Sequence, residues 1–262
     1  MTEPMITTIF GPKFTAKTST ALSWPKPIAY YNLELGGSRA WHWKELVADN
    51  VVRERRVIIP GKDLIKRWSK LEGYIEAWKT FVTLLEIDLL DDSIATIVFD
   101  TGTMVRALAV DSFLEYRQNE VANQNREKRT LDVFEYAEPN RRTEDVIIAS
   151  KRAGKDLVVI YHDTDEYVAI VGDDGKVKKD SSGNVLREQT GQKVPDGYKR
   201  AESDSDWVLL SSLAIKLEEG KKVVTPKMEI LKSPYGLDLY GMSVEWATYE
   251  KVLKIPAMLG RL

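Results

Sequence analysis

Two hydrophobic rhythms alternate along the chain. In the first, nearly every position is apolar over a short run: "ITTIF" (6–10), "PIAYYNLE" (27–34), "ATIVFD" (95–100) and "DLVVIYH" (156–162). Runs of this length, bounded by glycine, proline or charge, predict strands buried on both faces. In the second rhythm the apolar positions are three and four apart. Leu64, Trp68, Leu71, Ile75, Trp78, Val82 and Leu85 predict one helix over 63–90 with a single apolar face. Val105, Leu108, Phe113 and Leu114 predict another over 104–118. A third is expected over 140–153, with Pro139 near its start and Gly154 just past its end. A further helix is expected from Lys17, after the turn at Gly11-Pro12. The polar stretch 118–129 reads as a helix end or a loop.

Strand–helix alternation with continuously apolar strands predicts an α/β fold, a mainly parallel central sheet with helices on both faces. After His162 the pattern changes. Asp174-Gly175 is a hairpin signal, and "WVLLSSLAIKLEEGKKVVTPKMEILKS" reads as two antiparallel strands around Glu219-Gly220. Pro226 fits an edge strand best. C-terminal antiparallel strands are therefore expected to extend the parallel core. The expectation is one domain over 1–262, with 163–205 as a hairpin and loop insertion. No internal repeat interrupts it.

Composition narrows the chemistry. With 262 residues, 43% hydrophobic and 30% charged, the chain is long enough for a sizeable core. A net charge of −2 argues against a protein that is basic all over, so a nucleic-acid contact would need a local basic patch. The absence of cysteine excludes disulfides and thiolate metal sites, and His42 and His162 are too few for a histidine cage. With no membrane-length apolar run and no signal-like start, the expectation is a soluble protein of the cytoplasm, without membrane contact.

The stretch "GPKFTAKTS" (11–19) carries the sharpest chemical signal. Phosphate loops follow G-x-x-x-x-G-K-[ST]: backbone N–H groups face the anion, lysine reaches the β- and γ-phosphates, and the hydroxyl binds Mg²⁺. Gly11, Lys17 and Thr18 match, between an expected strand and an expected helix, while Ala16 replaces the second glycine. A methyl group there strains the backbone by about 1 kcal/mol if φ is positive, but removes no N–H donor. Gly11, Pro12, Lys13, Phe14, Thr15, Ala16, Lys17, Thr18 and Ser19 form the expected nucleotide-binding segment. Asp100 ends a strand, where a carboxylate holds magnesium with Thr18. Glu34 ends the strand after the loop helix, a place for a general base. His162 ends a fourth strand, a place to sense the γ-phosphate. Each of these is also an ordinary residue type for a strand end.

Lys17/Thr18, Glu34, Asp100 and His162, in this order on four strand ends, resemble the RecA-like ATPase core. "IFGPKFTAKTSTALSWPKPIAYYNLELGG", "ATIVFDTGT", "VVIYHDTDEYV", "VPDGYKRAESDSDWV" and "MEILKSPYGLDLYG" are similar to segments of phage-encoded RecA-like P-loop proteins, often labelled AAA domains. The resemblance implies ATP and Mg²⁺ as cofactors, with Thr18 and Asp100 at the metal and Glu34 as base. It also implies a homo-oligomer, with Lys232 reaching a neighbouring site, although the usual second basic residue after it is missing. Single-stranded DNA is the implied partner, beside a phage recombination or single-strand-binding protein. The corresponding DNA-binding loops lie near 118–130, with Arg126, Lys128 and Arg129, and near 163–200, with Lys176, Lys178, Lys179 and Arg187. Acidic Glu127, Asp173, Asp174 and Asp180 are interleaved, so solvated charged loops remain the alternative. Tyr167 is placed to stack on a base or to pack. Trp41, Trp43, Trp68 and Trp78 are assigned to core or interface. Two other functions stay open: a small-molecule kinase with Arg141-Arg142 in a lid, and a nucleotide-dependent structural protein without turnover.

Overall fold

A computed structural model describes residues 3–60, 71–122, 128, 130–172, 175–218 and 221–260. In chain order its elements are β1 (Ile6–Phe10), α1 (Lys17–Ala21), β2 (Ile28–Asn32), α2 (Trp43–Ala48), β3 (Val52–Arg55), α3 (Tyr74–Leu90), β4 (Thr96–Asp100), α4 (Gly102–Ala122) and α5 (Ala137–Arg152). There follow β5 (Asp156–Tyr161), β6 (Asp163–Ala169), β7 (Arg187–Pro195), α6 (Ala201–Asp204), β8 (Trp207–Glu218), β9 (Lys221–Lys232), β10 (Ser243–Glu245) and α7 (Tyr249–Met258).

The central sheet has the order β10-β9-β8-β1-β5-β4-β2-β3. From β8 to β3 every neighbouring pair is parallel, and β9 and β10 add antiparallel strands at one end. This is the expected α/β class: a mostly parallel sheet with helices, extended by antiparallel strands. One detail differs. β8 pairs with β9 antiparallel as read from sequence, but it also lies parallel to β1, with Thr7 opposite Trp207.

Strand alternation sorts the core into two layers. Ala29, Tyr31, Ile97, Phe99, Leu157 and Val159 face Phe81 and Leu85 of α3, Leu108 of α4 and Val146 of α5. Ile28, Tyr30, Val98, Val158 and Ile160 face the other way, towards Ala21 of α1, Trp24 and Val252 of α7. Each central strand is therefore buried on both faces, which is why its sequence reads as a continuous apolar run.

The helix expected over 63–90 begins at Tyr74; positions 63–70, with Leu64 and Trp68, lie outside the described residues. Gly73 takes φ +85°, and the buried Glu115 of α4 accepts the N–H groups of Gly73 (3.1 Å) and Ile75 (2.8 Å). A carboxylate from another helix thus satisfies N–H groups that the first turn leaves unpaired, and fixes where the helix starts. α4 begins two residues before the expected 104 and runs on to Ala122. α2 and β3 were not apparent in the sequence. β3, "VRER", is an edge strand with charged positions, so it lacks the apolar run that marks the interior strands. Pro226 sits beside the end of the β9–β10 ladder, where its carbonyl accepts from the Trp246 N–H at 2.9 Å. No helix among the described residues is long and apolar enough to cross a membrane.

Candidate functional site

β1, β5, β4 and β2 are consecutive neighbours in the sheet, so their C-terminal ends lie side by side. Ligands of open α/β sheets bind in the crevice at these ends. The four ends lead to Lys17/Thr18, His162, Asp100 and Glu34, and residues of all four line one cavity of about 490 Å³.

The loop after β1 owes its shape to three positive φ angles: 137° at Gly11, 64° at Phe14 and 62° at Ala16. Gly11 is required twice over. Besides its φ, a Cβ there would stand 2.2 Å from the Ser211 carbonyl oxygen of β8. The same strand holds the loop from below, for the Ser211 hydroxyl donates to the Thr15 carbonyl at 2.7 Å. Ala16 is left-handed, at φ 62° and ψ 21°, the conformation for which glycine is usual. Alanine adopts it at a strain of about 1 kcal/mol, and its N–H stays in place.

Lys17 is buried, and its Nζ donates to the carbonyls of Gly11 and Pro12, each at 2.6 Å. Burial lowers its pKa; Asp163, Asp100 and Glu34 pull the other way. The Thr18 hydroxyl donates to Asp100 Oδ2 at 2.8 Å, and the Tyr30 hydroxyl donates to the same oxygen at 2.6 Å. Burial raises the Asp100 pKa despite these two donors. The Tyr30 pKa is raised as well, by burial first and then by Asp100.

Both carboxylate oxygens of Glu34 are engaged. Oε1 accepts the Thr101 hydroxyl at 2.9 Å, and Oε2 lies 3.1 Å from His162 Nε2. His162 is tied to the floor of the site through its backbone: its N–H reaches the Thr103 hydroxyl at 3.4 Å, and its carbonyl accepts the Asp196 N–H at 2.8 Å.

The cavity also holds residues that were not apparent in the sequence as site residues. Arg39, Trp41 and Pro226 join its lining. The Trp41 N–H donates to the Ser19 hydroxyl at 3.2 Å, and its ring lies 4.8 Å from that of Trp246. Of the tryptophans assigned to core or interface, Trp41 is 44% exposed and so lies outside the core, whereas Trp43 and Trp78 pack against the two core layers. Tyr30 carried a weak signal: it lies on the opposite face of β2 from Tyr31 and two residues before Asn32, which pairs with Asp100.

The structure therefore brings together Gly11 to Ser19, Glu34, Asp100 and His162. It does not bring Lys232 to them. The Lys232 Nζ donates to the carbonyls of Glu202 (3.0 Å) and Ser203 (2.9 Å) in α6. Of the basic residues expected at DNA, Arg126 and Arg129 lie outside the described residues, as do Glu127, Asp173 and Asp174. Lys128 pairs with Asp132 and Glu135 of its own chain. Lys176, Lys178, Lys179 and Arg187 lie on the β6–β7 ribbon and its extension, with Tyr167 on β6.

Among the described residues no group of three or more His, Asp or Glu could cage a metal. A hydroxyl beside a buried carboxylate, Thr18 with Asp100, is instead the hard-oxygen donor pair suited to a magnesium ion that keeps most of its waters. The donor set fits that ion. Comparison with known proteins adds no family: no family model matches the chain, and no curated protein matches it.

Proposed function

We propose that the chain is a RecA-like P-loop ATPase that binds ATP with Mg²⁺ and hydrolyses it, acting with single-stranded DNA in phage recombination or replication. The observation that carries this reading is the contact between Thr18 and Asp100 at the mouth of the Lys17 turn. It joins the expected metal hydroxyl to the expected metal carboxylate across two strands, inside a cavity of nucleotide size.

In this reading the triphosphate lies along Gly11 to Thr18. α1 spans only five residues, so its dipole is weak, and the loop N–H groups and Lys17 supply most of the attraction. The Lys17 ammonium, held on two carbonyls in the free protein, turns to the phosphates. Lys13 and Arg39 add positive charge to the same cavity. Thr18 would hold Mg²⁺ directly and Asp100 through water, and the ion would supply neutralisation of the phosphate oxygens. Glu34 orients and deprotonates the attacking water once its carboxylate is free to accept from it. His162 is the residue that meets the terminal phosphate and exchanges it for Glu34. Trp41, backed by Trp246, offers a flat apolar surface to the base.

A kinase lid gains no support, because Arg141 and Arg142 both pair with Glu138 on their own helix. The β6–β7 ribbon leads directly out of His162, and this is the support for a DNA partner at that ribbon. The deciding experiment is phosphate release from ATP, measured with and without single-stranded DNA on one sample. Turnover stimulated by DNA is expected; absence of turnover in both arms would overturn the ATPase reading.

A further inference from the structure

We propose that Tyr30 is a positioning residue for the metal and the nucleotide: its hydroxyl fixes the Asp100 carboxylate, and its ring supports the segment Gly37–Trp41 beside the same cavity. This rests on the ATP reading and adds to it a residue that touches neither ligand.

Two hydroxyls share one oxygen of Asp100. Thr18 donates to Oδ2 at 2.8 Å and Tyr30 at 2.6 Å. A carboxylate pinned at one oxygen by two donors cannot swing about its terminal torsion. Neither donor uses Oδ1, which is the oxygen that can accept from a metal-bound water. Thr18 is itself the expected metal ligand, so its contact belongs to the site. Tyr30 is fully buried and reaches Asp100 from within the sheet, one strand away.

The next residue supplies a comparison inside the same strand. The Tyr31 hydroxyl donates to Asp88 Oδ2 at 2.7 Å, on the opposite face of β2. There Arg55 completes the group, with Nη2 2.6 Å from Asp88 Oδ1 and Nε 3.0 Å from Oδ2. Asp88 is thus neutralised within the fold, and the trio is a structural clasp. Asp100 has no such partner among the described residues. Its hydrogen bonds come from hydroxyls, and Lys17 directs its ammonium to the carbonyls of Gly11 and Pro12. Two neutral donors orient the carboxylate without neutralising it, which leaves its charge to be met by a cation.

The Tyr30 ring is held in turn. Trp43 of α2 meets it edge-on, with centroids 5.4 Å apart. On Gly37 an added Cβ would stand 2.6 Å from Tyr30 Cε1 and 2.8 Å from its hydroxyl oxygen. Only glycine lets the turn Gly37–Arg39 lie this close to the ring. That turn and the residues after it bring Arg39 and Trp41 to the cavity. For packing alone phenylalanine would serve; the hydroxyl is what Asp100 requires.

The test is calorimetric titration of ATP into the full chain, in EDTA and over a series of Mg²⁺ concentrations. The variants are Tyr30→Phe, Gly37→Ala and, as the control, Tyr31→Phe. Circular dichroism checks that each folds. Tyr30→Phe keeps the ring, so ATP binding in EDTA is expected to stay at the wild-type level. Its half-saturating Mg²⁺ concentration is expected to rise about tenfold, the lower end of what partners behind a metal ligand carry. Tyr31→Phe loses a comparable buried hydrogen bond and is expected to keep the wild-type Mg²⁺ requirement. Gly37→Ala displaces the ring and the turn together, so it is expected to raise the Mg²⁺ requirement and also to weaken binding in EDTA. It reads the same proposal if Tyr30→Phe does not fold. An unchanged Mg²⁺ requirement in Tyr30→Phe, a loss of its binding that is equal with and without Mg²⁺, or the same shift in Tyr31→Phe would each overturn the proposal and leave the ATP reading standing. A wild type that binds no ATP would overturn both.

Discussion

The Thr18 hydroxyl donates to the Asp100 carboxylate at 2.8 Å, although 82 residues separate them in the chain. The sheet makes the contact possible: only β5 stands between the strands that end beside these two residues. The carboxylate is buried; burial and Glu34 disfavour its charge, and the hydrogen bonds from Tyr30 and Thr18 together with Lys17 offset this only in part.

The burial of Asp100 has a consequence for stability. Its pKa is raised on folding, so the unfolded chain binds fewer protons at this site than the folded one. The contribution of Asp100 is then unfavourable at neutral pH and is relieved as pH falls through its raised pKa. Asp100→Asn is expected to raise the melting temperature of the nucleotide-free protein at pH 7, with a smaller gain at pH 5. It should also remove the Mg²⁺ dependence of ATP binding. Thermal melts at both pH values check this; a gain that is larger at pH 5 contradicts it.

Ala16 sets up a graded comparison. Its left-handed backbone suits glycine, tolerates alanine and disfavours a β-branched residue. Ala16→Gly is expected to change stability by less than about 1 kcal/mol, because relief of strain and the extra freedom of the unfolded chain oppose each other. Ala16→Val is expected to destabilise by more than about 1 kcal/mol. Urea unfolding of both variants reads the difference.

Gly11→Ala probes the close approach of the loop to β8. The added methyl meets a backbone oxygen at 2.2 Å, on a residue that already needs φ 137°, and no flexible side chain can yield. A loss of about 3 kcal/mol is expected, from steric overlap and backbone strain together. A variant as stable as the wild type in urea would show that the loop does not sit on Ser211.

Glu34→Gln separates binding from chemistry. Glutamine keeps an oxygen to accept from Thr101 but is a poor base. ATP affinity should stay within a few fold of the wild type, while turnover falls by about 10²–10⁴, the range of general-base contributions. Single-turnover kinetics with equal nucleotide loading decide it. Normal turnover would remove Glu34 from the chemistry.

The sequence was most informative where one physical cause dominated. Strands buried on both faces have no choice but to be apolar, so β1, β2, β4 and β5 were legible, and with them the positions of Lys17, Glu34, Asp100 and His162 at their ends. β3 was not, because an edge strand with charged positions has no period to betray it. The start of α3 was hidden because Glu115, far away in sequence, supplies its N-terminal partner. Tyr30 on Asp100, Trp41 against Trp246, and Lys232 on α6 are products of tertiary packing that no local pattern encodes.

The most direct test is calorimetric titration of ATP with Mg²⁺ into the wild type and into Lys17→Ala. The wild type should bind one nucleotide per chain, and the variant should lose that binding or weaken it by at least about tenfold, the equivalent of about 1.4 kcal/mol. A wild type that gives no binding, or a variant that binds as tightly, would contradict the placement of a triphosphate between Gly11 and Thr18.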